Sequence, residues 1–108
     1  MGRIGFVMNK VIRDGKVAVL YSPGFGAGWH TWGAPKELIF NPEIVRLVEE
    51  NKKHEIADYV EQLGFDFYTG GAEDLKIKWI PEGSQFRITE YDGSESIEIL
   101  GQIDFLVA

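Results

Sequence analysis

The stretch Gly24-Phe25-Gly26-Ala27-Gly28-Trp29-His30-Thr31-Trp32 places three glycines, three aromatic rings and one imidazole within nine residues, directly after a strand-like segment. Glycine admits positive φ and close backbone approach, aromatic faces supply stacking area, and an imidazole exchanges a proton near neutral pH. These types in this spacing suit a loop that holds a small ligand. Phe25, Trp29 and Trp32 would stack, Gly26 and Gly28 would bring backbone amides close, and His30, with Arg87 from far along the chain, would hydrogen-bond. The competing reading is a compact loop that spends its glycines on turns and tucks its tryptophans onto the core. Gly24-x-Gly26-x-Gly28 is not a phosphate or dinucleotide loop, because no lysine follows it, Trp29 to Pro35 is a poor helix start and no second βα unit is present.

Catalytic and metal chemistry find little support. His30 has no obvious nucleophile: Ser22 lacks the Gly-x-Ser-x-Gly elbow, and Ser84, Ser94 and Ser96 fall in turns and strands. A hydrolase would need His30 to act with Asp74 or Glu73 as acid and base. His54 falls in a polar junction and is expected to be solvated. Two histidines 24 positions apart, with no cysteine, do not make a zinc motif, and Asp92-Gly93-Ser94-Glu95 lacks the register of a calcium loop and reads as a turn. No catalytic residue, metal ligand or cofactor is assigned. Lys76 and Lys78 share a strand face. An antiparallel neighbour that brought Arg87 onto that face would make either a phosphate clamp or an ordinary solvated face neutralised by Glu90 and Glu98.

Seventeen acidic residues against eleven basic ones, a net charge of −6, oppose binding of polymeric nucleic acid. With 44% hydrophobic and 26% charged residues the composition is that of a folded globular chain. No apolar run reaches the length of a membrane span and the N-terminus lacks a signal-peptide pattern, so a cytoplasmic location and no membrane partner are expected. The 108 residues fit a single domain, 1–108.

The elements that must position these residues are legible as an α+β pattern. Asp14-Gly15 between Lys10–Arg13 and Lys16–Tyr21 marks a type I′ hairpin, whose second arm is apolar enough to be covered on both faces. Asn41-Pro42-Glu43 starts a helix, and Ile56 to Leu63 continues as a second helix or as the rest of a bent one, with Gly64 as a left-handed cap. After that the period is two: Phe65–Tyr68, Leu75–Trp79, Phe86–Tyr91, Ser96–Leu100 and Ile103–Val107 read as strands. The expected architecture is an antiparallel sheet, an N-terminal hairpin plus a C-terminal meander, with one or two helices packed on one face. A terminal apolar strand leaves an edge to pair, which favours a homo-oligomer.

The segments Val17-Ala18-Val19-Leu20-Tyr21-Ser22-Pro23-Gly24-Phe25-Gly26-Ala27-Gly28-Trp29, Trp79-Ile80-Pro81-Glu82-Gly83 and Phe86-Arg87-Ile88-Thr89-Glu90-Tyr91-Asp92-Gly93-Ser94-Glu95 resemble a group of short bacterial and phage proteins without an assigned activity. The resemblance covers about a hundred residues and carries over no catalytic residue. It implies Met8 as the natural start, with 1–7 as an N-terminal extension. By analogy with other phage proteins it also implies a protein that sequesters a nucleotide-like signalling ligand rather than transforming it. The expected function is thus non-enzymatic binding of a small molecule through the aromatic, glycine-rich loop; the alternatives are a protein-interaction module and a small hydrolase using His30.

Overall fold

The computed structural model describes residues 9–24 and 28–100. The expected strand at 103–107, the extension at 1–7 and the loop residues Phe25 and Gly26 lie outside them. The chain is α+β, with strands β1 (Ile12–Arg13), β2 (Lys16–Tyr21), β3 (Lys76–Pro81), β4 (Phe86–Tyr91) and β5 (Ser94–Ile99) and helices α1 (Lys36–Phe40), α2 (Pro42–Glu49) and α3 (Ile56–Gln62). All strand pairing is antiparallel, in a three-stranded sheet β1-β2-β3 and a two-stranded ribbon β4-β5. Among the described residues no helix is long and apolar enough to cross a membrane.

Local chemistry explains most elements. Asp14 and Gly15 both take positive φ (51° and 75°), as do Asp92 and Gly93 (50° and 81°), the backbone that type I′ turns need to match the twist of their strands. Asn41 caps α2 by accepting from the amides of Glu43 and Ile44 at 2.8 and 3.0 Å, and Pro42 occupies the first turn, where its missing N–H costs nothing. Gly64 at φ 89° closes α3, with the Phe65 amide donating back to the Val60 carbonyl.

The apolar run of β2 is explained by two layers. Ala18 and Leu20 pack with Leu38, Ile44, Leu47, Ile56 and Val60 of the helices. Val17 and Val19, on the opposite face, pack with Ile39, Phe40 and Ile80 and meet Phe86, Ile88, Ile97 and Ile99 of the ribbon. The sheet therefore lies between helices and ribbon, and β2 reads as continuously apolar because both its faces are covered. Helix α1 spans the sheet edge, sending Leu38 to one layer and Ile39 and Phe40 to the other.

Three local expectations change. Phe65–Tyr68 is not a strand; it runs irregularly into a 3₁₀ turn at Gly70–Asp74, because Phe65 and Phe67 pack on the helical layer without a neighbouring strand to pair with. Lys36–Phe40, unassigned from sequence, is helical. Leu75–Trp79 supplies β3, but β3 pairs with β2, so Arg87 is not brought beside Lys76 and Lys78 and instead meets Glu98 across the ribbon at 2.5 Å.

The Arg13 guanidinium grips the Glu49 carboxylate at 2.6 and 2.9 Å and lies 5.2 Å from the centre of the Trp79 ring, tying the first hairpin to α2. Arg13 holds the Glu49 carboxyl below the usual carboxylate range through that hydrogen bond, burial opposing it. A lowered folded value means that the pair's contribution is present above the unfolded carboxylate's value and is lost as pH falls through the lowered one. Arg13→Ala should lower the melting temperature only slightly at neutral pH, as for exposed pairs. The difference from the native chain should close as melts are taken to acid pH; a gap that stays constant would contradict this.

Candidate functional site

Glu95 organises the region around the glycine-rich segment. It belongs to β5 and faces inward, in alternation with Ile97 and Ile99, with 1% of its surface exposed. Burying a carboxyl group is costly unless donors meet it. Here they do: the Ser22 amide donates to Oε1 at 2.9 Å, and the Trp29 amide, the Thr31 amide and the Thr31 hydroxyl donate to Oε2 at 2.9, 2.8 and 2.7 Å. The Glu95 amide returns a bond to the Ser22 carbonyl at 2.9 Å, and the Ser94 hydroxyl donates to the Pro23 carbonyl at 2.5 Å. The start of β5 thereby clamps both ends of the loop.

The glycines and tryptophans take distinct places. Gly28 has φ 75°, and its carbonyl lies against Gly71, where any side chain would collide with it. Ser22 is buried and donates to the Gly71 carbonyl at 2.9 Å, a structural bond that leaves no exposed nucleophile. Trp29, expected as a stacking ring, has 0% exposure: its ring meets Phe67 edge to face at 5.3 Å and its indole N–H donates to the Leu38 carbonyl at 3.2 Å. Its backbone is fixed by Glu95 and its ring by the helical layer, so it is a core residue. Trp32 is 46% exposed, lies over Gly28 and meets the exposed Tyr68 edge to face at 6.1 Å. Phe25 and Gly26 fall outside the described residues.

His30 points elsewhere. It joins Arg87, 57 positions later, in lining a cleft of about 460 Å³ between α1 and the ribbon, together with Lys10 and Lys36. Ile39, Phe40, Phe86 and Ile88 are the other described lining residues, and none of the described lining residues is a carboxylate. The His30 Nδ1 lies 2.9 Å from the Ala34 carbonyl, which can only accept, so Nδ1 carries the proton and Nε2 is the ring nitrogen left for a ligand. Lys10 sits with its ammonium 4.6 Å from the centre of the Phe40 ring. Arg87 spends its Nε on Glu98, while Lys10 and Lys36 have no ion-pair partner among the described residues. Such a cleft can hold an anionic group against an apolar wall. Asp74, proposed as a partner for His30, instead sets its carboxyl group against Gly24, and neither it nor Glu73 lines the cleft. Among the described residues no group of three or more His, Asp or Glu side chains is placed to hold a metal ion.

Sequence reading missed Lys10, Lys36, Phe40, Phe86 and Ile88 as cleft residues and assigned Glu95 to a turn. For Glu95 a signal existed: carried back from Ile99 and Ile97, the period-two pattern puts Glu95 on the apolar face. For the lysines no local signal existed.

Glu95→Gln replaces one acceptor oxygen by a donor facing donors, and should cost about 2–4 kcal/mol in urea unfolding. It should also speed hydrogen exchange at the Ser22, Trp29 and Thr31 amides while the β2–β3 pairing stays protected; unchanged protection at those three amides would refute the clamp. Trp29→Ala should cost about 3–5 kcal/mol as a core deletion, whereas Trp32→Ala should shift stability by less than about 1 kcal/mol. Equal losses in the two melts would contradict this division.

Compared with known proteins, the chain matches no family model, no curated protein and no solved structure.

Proposed function

We propose that this chain is a non-enzymatic binding protein for a small organic anion, held in the cleft of Lys10, His30, Lys36 and Arg87 against the apolar wall of Ile39, Phe40, Phe86 and Ile88. The supporting observation is the concentration of basic groups: in a chain of net charge −6, four separate segments contribute three cations and an imidazole to one cleft, with no carboxylate among its described lining residues. Charge-assisted donors around an apolar wall recognise a phosphate or carboxylate carried on an organic body. A nucleotide-like ligand belongs to that class, as the resemblance implies.

Binding is favoured over hydrolysis because, among the described residues, no nucleophile or carboxylate lines the cleft with His30. A second reading, a protein-contact surface, has its own support in the exposed edge-to-face pair Trp32 and Tyr68, since Trp and Tyr are common interface anchors.

Mass spectrometry of small molecules released from the purified protein tests the reading. An unaltered organic anion is expected in near-stoichiometric amount, and Lys36→Ala and Arg87→Ala should each weaken its binding about tenfold, the loss of one charge-assisted contact. Turnover of that compound would favour the hydrolase, and a co-purifying polypeptide with no small molecule would favour the contact surface.

A further inference from the structure

A second cleft, of about 150 Å³, lies where the ribbon crosses the sheet. Val17, Val19 and Ile80 form its floor, Pro81 at the end of β3 and Ser84 of the turn that follows form its far end, and it shares Lys10, Phe40 and Phe86 with the cationic cleft. The two clefts thus meet along three common side chains, and of the basic groups only Lys10 continues into the second, whose own lining is Val17, Val19, Ile80 and Pro81 with Gly83 and Ser84. The ribbon carries more apolar surface on its inner face than the sheet covers: Phe86, Ile88, Ile97 and Ile99 all remain only half-buried, while Val17, Val19 and Ile80 opposite them are buried. Phe40 and Phe86 already meet edge to face, 6.0 Å apart at 82°, so they do not form parallel plates for a flat base. A flexible aliphatic chain can pass along their edges.

We propose that the ligand is a single amphiphile, an anionic phosphate or carboxylate head at Lys10, Lys36 and Arg87 with an unbranched alkyl tail running past Phe40 and Phe86 into the apolar cleft beneath the ribbon. The proposal rests on the anion-binding reading above and narrows it from nucleotide-like compounds to free, monomeric amphiphiles. Charge complementarity places the head, and burial of methylenes against the half-buried Phe86 and Pro81 supplies the added affinity.

The test is calorimetric titration of the full chain with ethyl, butyl, hexyl and octyl phosphate below their micelle concentrations, with adenosine monophosphate alongside. Affinity should rise about three- to fourfold per methylene, equivalent to about 0.8 kcal/mol each, until the apolar cleft is filled. Ser84→Phe, which fills the far end of that cleft, should weaken octyl phosphate at least tenfold and leave ethyl phosphate unchanged. If ethyl phosphate or adenosine monophosphate binds and is lost in Lys36→Ala/Arg87→Ala, but octyl phosphate binds no more tightly than ethyl, the tail is overturned and the anion site stands. If no member of the series distinguishes the native chain from that double variant, the anion site falls as well. Octyl phosphate unaffected by Ser84→Phe, or binding only to vesicles of anionic phospholipid and to no monomer, also overturns the proposal.

Discussion

A carboxylate on the apolar face of a strand has to be met by donors, and the way Glu95 meets that constraint fixes the rest of the molecule. Its oxygens collect three backbone amides and a hydroxyl from the segment between Ser22 and Thr31. Backbone donors cannot be moved without moving the chain, so these bonds fix the backbone at Ser22, Trp29 and Thr31 as well as satisfying the carboxylate. They also anchor the ribbon, which among the described residues shares no strand pairing with the three-stranded sheet. The glycines follow from this arrangement: with Ser22 and Trp29 held to one carboxylate, the Gly28 carbonyl lies where a side chain at Gly71 would be, and a side chain at Gly28 would meet the Trp32 indole.

The same arrangement separates the chemically interesting side chains. Trp29 and Thr31 are held to one oxygen, so the turn between them presents successive side chains to different surroundings. Trp29 enters the helical layer, His30 turns toward the ribbon and Trp32 lies outward over Gly28. A stretch that reads as one aromatic binding loop therefore contributes a core ring, a cleft imidazole and a surface ring. The cleft then depends on α1, which crosses the sheet edge and brings Lys36, Ile39 and Phe40 to face Phe86, Arg87 and Ile88. Net charge is a poor guide to such a site, because a few cations gathered around one cleft set the local field there even where the surface sum is negative.

Local chemistry alone determined the two Asp-Gly turns, the Asn41-Pro42 helix start, the Gly64 cap and the two-sided burial of β2, because each depends on residues a few positions apart or on one strand's own pattern. It also supplied the α+β class, and two of the residues it singled out, His30 and Arg87, line one cleft in the fold. Tertiary structure decided everything that depends on partners far apart in sequence. Glu95 reads as a turn acid until it meets amides 64 to 73 positions away. Trp29 reads as a stacking ring until Phe67 and the Leu38 carbonyl enclose it. Phe65–Tyr68 has the strand pattern but no strand beside it, and β3 has two candidate neighbours of which β2 offers the more apolar surface. Periodicity states which face of an element is buried and is silent about what buries it; the physical choice between partners is made only when all the apolar faces compete at once.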